Sequence, residues 1–137
     1  MNHIPSPDAS DSGIEREIVA KGKTAPRVTP ADIDANIASE TYFTAAQGWN
    51  GEAASDERTR GLEYGQGPLS LLTFCVLVLR NGFTVTGESA CASPENFDAA
   101  IGQKIARANA VQKIWPLMGY QLKEQLYQRT QPAQAPE

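Results

Sequence analysis

The sequence predicts an α+β domain: a central antiparallel β-hairpin (about residues 71–79 and 83–90), packed by a long helix (about 94–115) with flanking shorter helices. Three observations predict it. Residues Leu71 to Leu79 read LLTFCVLVL, a β-branched, aromatic and apolar run, followed by Asn81-Gly82 and the alternating Phe83, Thr84, Val85, Thr86; such a run before Asn-Gly is the strongest short hairpin signal. Ser93-Pro94-Glu95 then offers a cap, a proline at the first helical position and an acid in the first turn, which opens a helix. Finally, 137 residues with 41% hydrophobic content can bury one core but cannot hold a catalytic domain plus a regulatory one.

Residues 1–13 and 129–137 are rich in Pro, Ser, Ala and Gln and are expected to be disordered tails on a single domain over 14–128. Residues 14–24 are expected to form one or two weak helical turns. Thr29-Pro30-Ala31-Asp32 starts a helix that carries Ile33, Ile37 and Thr44 on one face and is expected to stop near Gly48, where a loop opens and runs to Pro68. If Asn81 and Gly82 are the two loop residues of the hairpin, Arg80 pairs with Phe83, Val78 with Val85, Val76 with Gly87 and Leu72 with Cys91. The even-numbered residues of the first strand then line the core.

In the following helix, Phe97, Ile101, Ile105, Ala108, Val111 and Trp115 form the apolar sector expected to lie on the hairpin, with Lys104 snorkelling from it. Roughly opposite, Ala99, Gly102, Ala106 and Ala110 are either ordinary exposed helix formers, the reading preferred here, or a surface that admits a second backbone closely. Pro116 is expected to break or kink the helix, leaving a short last helix over 119–127. In this register Cys75, Leu77 and Leu79 occupy the second face of the hairpin beside Thr84 and Thr86, a face too apolar for water. These five residues are the expected interface, and a homo-oligomer is the expected consequence.

The function classes narrow by exclusion. Residues 1–68 carry 11 acidic and 6 basic side chains and residues 69–137 carry 5 and 6, so neither half has the basic stripe of a phosphate-dominated nucleic-acid binder. No run approaches the roughly 20 apolar residues of a membrane span. His3, the single histidine, falls in the expected tail, which removes triad and Cys–His schemes and leaves no metal or cofactor site to propose. Cys91 is the one conceivable nucleophile, near a helix N-terminus, but reads first as a small buried hydrophobe. It is expected not to pair with Cys75, because the two point to opposite faces. Glu88 reads as a solvated edge residue, and Gly65-Gln66-Gly67 lacks the strand and lysine of a phosphate loop. If a small anion or nucleotide is bound, the residues for it are Trp49, Arg58, Arg60, Tyr64, Lys104 and Arg107.

One resemblance adds to this reading. Asn81 to Cys91 (NGFTVTGESAC), Asn96-Phe97-Asp98, Ile101 to Ala106 (IGQKIA) and Ala110 to Lys123, with Ala25 to Pro30 and Tyr42 to Ala45 upstream, resemble the gene-product-forty-nine / gene-product-sixty-six family of small tailed-phage accessory proteins. The resemblance implies a phage or prophage origin and action in the host bacterial cytoplasm, and carries no catalytic assignment. The expected function is therefore a non-enzymatic binding module for host takeover or anti-defence, engaging a host protein or a small signalling nucleotide. A nucleic-acid-binding accessory protein of replication or transcription is the alternative, and a thiol enzyme through Cys91 is disfavoured.

Overall fold

A computed structural model describes residues 9–62 and 67–132. The element order is α1 (Asp11–Ala20), α2 (Pro30–Asn36), β1 (Ile37–Thr44), α3 (Ala45–Ser55), a 3-10 turn (Pro68–Leu71), β2 (Leu72–Leu79), β3 (Thr84–Ala90), a second 3-10 turn (Pro94–Asn96) and α4 (Ala99–Thr130). The α+β class holds, with an antiparallel sheet in the order β1-β2-β3.

The sheet thus has a strand more than the hairpin. Thr29 caps α2 as expected, in a reciprocal capping box with Asp32, but the helix ends at Asn36 and the chain extends. From Thr41 the residues are β-branched or aromatic (TYFT), which pack better on a pleated surface than in a helix. A second capping box, Thr44 with Gln47, starts α3, so residues 45–55 are helical where a loop was expected to open at Gly48. Turns follow from Asp56.

The hairpin forms, one residue away from the expected register. Leu79 N–H donates to the Phe83 carbonyl (2.8 Å) and Gly82 N–H to the Leu79 carbonyl (2.9 Å), which makes Arg80, Asn81 and Gly82 a three-residue loop. Gly82 sits at φ +88°, the left-handed position such a loop needs, and the Asn81 side chain accepts from Phe83 N–H (3.0 Å). Val78 therefore faces Thr84, Val76 faces Thr86 and Leu72 faces Ala90. A slip of one residue exchanges the faces of a strand. Thr73, Cys75, Leu77 and Leu79 are the buried set, not the even-numbered residues, and Leu77 and Cys75 are fully inaccessible. Their cover is α4. The three residues expected at an oligomer interface are the intrachain core, whereas Thr84 and Thr86 are exposed on the opposite face.

Helix α4 begins at Ala99, with Asp98 as its cap, and runs 32 residues, or about 48 Å. It continues through Pro116. Both Pro116 and Gln112, whose carbonyl loses its usual partner, are exposed, so solvent can satisfy that oxygen. The surface α4 turns to the sheet is the small-residue one: Gly102, Ala106 and Ala110 are buried with Val111 and Ile114, while Ile101 and Ile105 are 56% and 47% exposed. The reason is Gly87. A Cβ there would run into the Ala106 carbonyl and the Ala110 amide, so helix backbone meets strand backbone directly, and only alanine and glycine fit between. The core gathers these residues with Ile33, Cys75, Leu77, Leu79 and Val85; Trp115 packs against it partly buried.

The two cysteines are free, as expected, for a different reason. Cys75 pairs with Gly87 across β2 and β3, four residues before Cys91, which is about 13 Å of strand and beyond disulfide reach. Of the segments expected as tails, Asp11–Gly13 belong to α1 and Arg129 and Thr130 to α4, while residues 1–8 and 133–137 lie outside the described residues.

Candidate functional site

The residues nominated for a small anion are not brought together. Trp49 lies on α3, which packs on the face away from α4: the Phe43 and Phe74 rings of that face stack 5.5 Å apart, and a Cβ on Gly48 would lie 3.8 Å from the Phe43 ring. Arg58 and Arg60 follow α3 in the exposed turns, and Arg58 is held by Asp56 (3.1 Å). Lys104 and Arg107 are across the sheet on α4. Tyr64 and His3 lie outside the described residues.

Arg107 is already engaged. Its Nε donates to Glu40 Oε1 of β1 (2.8 Å), its Nη2 lies 3.7 Å from Asp34 of α2, and Tyr42 donates to the second Glu40 oxygen (2.9 Å). The guanidinium holds the Glu40 carboxyl below the usual carboxylate range. Burial, then the bond to Glu40, pushes the Tyr42 phenol well above its ordinary value, and burial raises the adjacent Cys75 thiol. This network clamps β1 to α4 and α2. It is a joint between elements, with its charges satisfied internally.

A roomier cavity lies elsewhere, at the end of the sheet where β2 begins and β3 ends. The ladder continues one pair past β3, with Cys91 N–H donating to the Leu71 carbonyl (3.0 Å), and then the chain leaves through Ala92 and Ser93 into the turn at Pro94. Asn96 and Phe97 N–H bonds close that turn, and the Asp98 carboxylate accepts from Ile101 N–H (3.0 Å) to start α4. The segment Ala90–Phe97 is thereby held out as a ridge with a groove on each side. One groove, about 960 Å³, runs between this ridge and Pro68–Leu72; the other, about 270 Å³, lies between Cys91, Phe97 and Thr73 on one side and Ile101 and Ile105 on the other. Both are mainly apolar, with Ser70 in the first and Ser89, Asn96 and Asp98 in the second. The combination of apolar walls and a few polar groups is that of binding clefts.

Cys91 stands on the ridge, partly exposed, and its Sγ donates to the Ser93 carbonyl (3.1 Å). The α-helix expected to open at Ser93 does not: Pro94–Asn96 form a 3-10 turn, and α4 starts at Ala99, eight residues past Cys91, with Asp98 as its cap. The cleft went unseen in the sequence because Ile101 and Ile105 read as core; their exposure follows from the Gly87 contact, for which the one available signal was the Gly102, Ala106, Ala110 spacing.

Among the described residues, no group of three His, Cys, Asp or Glu side chains is placed to hold a metal ion, and no helix is long and apolar enough to cross a membrane. No curated protein and no solved structure matches the chain. A family model does, over residues 28–126, from the start of the segment into α2 to the last turns of α4. With that span and the fold it encloses, the chain belongs to the Phage protein (N4 Gp49/phage Sf6 gene 66) family.

Proposed function

We propose that this phage protein is a non-enzymatic binding module that engages a host protein in the bacterial cytoplasm during takeover or anti-defence, using the cleft around Ala90–Phe97. The observation that carries the reading is the pair Ile101 and Ile105. Two aliphatic side chains about half exposed on one side of α4, beside an apolar cavity, suit the apolar side chains of a protein partner. A signalling nucleotide is the weaker ligand, because Trp49 lies with α3 on one side of the sheet, Lys104 and Arg107 lie with α4 on the other, and Arg107 is neutralised by Glu40. A nucleic acid would need the basic surface that the net charge of −4 does not suggest.

The test is affinity capture from host lysate with wild-type chain and with Ile101→Glu/Ile105→Glu, whose folding is checked by thermal melting. A host protein retained by the first, lost with the second and indifferent to 0.5 M salt is the expected result. Retained nucleic acid that leaves as salt rises would sink the reading in favour of the accessory-protein alternative.

A further inference from the structure

Helix α1 is weakly embedded, and its contacts describe a ligand. It contributes no buried residue, its Ile14 is 45% exposed, and it is joined to α2 by residues 21–29, of which 21–26 are exposed and Gly22 stands at φ +68°. What holds it is polar and directional. Glu15 receives both terminal nitrogens of Arg27 in a two-pronged pair (2.6 Å each), and Asp11 accepts from the indole N–H of Trp115 (3.2 Å). At 100° per residue Asp11, Ile14, Glu15 and Ile18 share one face. The space beneath, about 220 Å³, is lined on the other side by Val28, Pro30 and Trp115, so the fit is incomplete. The core does not use α1 at all, and the family match begins at Val28, after it.

We propose that the groove of Val28, Pro30 and Trp115, with Arg27 at its rim, is a docking site for an amphipathic helix of a partner protein, and that α1 fills it in cis as a resident competitor. The partner's chemistry is read from the occupant: two β-branched or aliphatic residues four apart, a carboxylate beside the first to meet Arg27, and a carboxylate one turn earlier to meet the Trp115 indole. Helix-in-groove recognition uses such i, i+4 anchors, and a paired Arg–carboxylate fixes the register of the incoming helix. A short tether gives α1 an effective concentration of about millimolar, so weak helices are excluded and only a better-fitting one displaces it. Nothing in this depends on the cleft at Cys91, which lies on the β2–β3 end of the molecule.

The experiment uses the full chain and two labelled peptides: residues 9–22 of this protein, and an unrelated helix that keeps only Asp, Ile, Glu and Ile at the α1 spacing. In the variant Ile14→Ser/Ile18→Ser the resident helix is weakened without touching the groove. Fluorescence anisotropy should show both peptides binding this variant at least tenfold more tightly than wild type. Adding Arg27→Glu should abolish that binding, and a Glu→Arg change in the peptide should restore it. Equal affinity for variant and wild type, or loss that the swapped charge does not rescue, overturns the proposal. Should the double substitution melt the chain, Glu15→Gln is the alternative release, since it breaks only the partly buried pair with Arg27 and cannot pair again with Arg27→Glu, and the same two outcomes apply with the unswapped and swapped peptides. Light scattering covers the remaining occupant: a wild-type dimer that either release variant converts to a monomer would mean that a second copy's α1 fills the groove, and the partner reading falls.

Discussion

The two faces of the sheet are made from the same three strands and obey opposite rules. On the α4 side, contact is so close that side chains are nearly absent where it is closest. Gly87 opposes Ala106 and Ala110, and the bulk is supplied by Cys75, Leu77, Leu79 and Val85 around that point. On the other side α3 packs at the Phe43–Phe74 end, and among the described residues the remainder carries half-buried Val76 and Val78 among exposed Ser39, Thr41, Thr84 and Thr86. Close packing tolerates no added atom, while a threonine-coated strand face satisfies itself with water. The difference teaches that apolar content alone does not identify the core face of a strand, and each substitution below either breaks that contrast or sharpens it.

The largest effect is expected at Gly87. Alanine there places a methyl against backbone, which cannot rotate aside, so helix and strand must separate along the whole contact. A loss of more than about 4 kcal/mol is expected, enough to abolish cooperative melting by circular dichroism in a domain of this size. A variant that melts within a few degrees of wild type would show that α4 does not rest on β3.

Next come the side chains around that contact. Leu77 is fully inaccessible, so Leu77→Ala should cost about 2–5 kcal/mol in chemical denaturation, and Leu77→Lys should leave no folded protein. Val85→Thr, which buries a hydroxyl opposite Leu77, should cost about 1–3 kcal/mol. If Leu77→Lys instead gave a folded monomer from an oligomer, the face under α4 would have been mistaken.

These faces also explain what could be read in advance. Both hairpin strands were legible, because nine consecutive apolar or β-branched residues before Asn-Gly leave few alternatives. The faces were not. Whether Asn81-Gly82 is the whole loop or its last two residues is decided by the Leu79–Phe83 pairing, and that one residue inverted the inward and outward assignments of β2, including the Cys75, Leu77 and Leu79 part of the oligomer interface, while Val85 inward and Thr84 and Thr86 outward stayed as expected. Strand β1 was hidden behind the well-formed start of α2, although Thr44 and Gln47 spell a second cap that a continuous helix would not need. Of the candidate site, Phe97 and Cys91 were singled out for other roles, and their meeting with Ile101 and Ile105 depends on long-range packing that local periodicity does not contain.

A smaller effect separates the rim of the α4 face from its centre. Because Arg107 holds the folded-state Glu40 pKa below its unfolded value, the joint's contribution is present above about pH 4.5 and is lost as pH falls through the folded value. Tyr42 runs the other way: its raised folded value gives a contribution present below about pH 10 and lost as pH rises beyond it. Denaturation midpoints across pH should therefore lose part of the acid limb in Glu40→Gln and part of the alkaline limb in Tyr42→Phe. Parallel profiles for wild type and both variants would mean that the clamp between β1 and α4 does not form in solution. Both groups are partly exposed, and salt should shrink the acid-limb difference.

The smallest effect is expected from Val76→Thr, and its size decides what the open face is for. Val76 lies between Thr41 and Thr86 in the ladder, half-buried, with both flanking threonines exposed. Threonine keeps the β-branched shape and strand preference, and its hydroxyl can reach water or the two flanking threonines, so the change should fall within about 0.5 kcal/mol. The same substitution at Val85 supplies the scale, since it makes the same atoms polar on the covered face. If Val76→Thr costs as much as Val85→Thr, and the cost grows with protein concentration, the open face is covered in solution by another copy, and self-association through the sheet would proceed by Val76 and Val78 rather than by Leu77. A cost near zero at every concentration leaves that face to water.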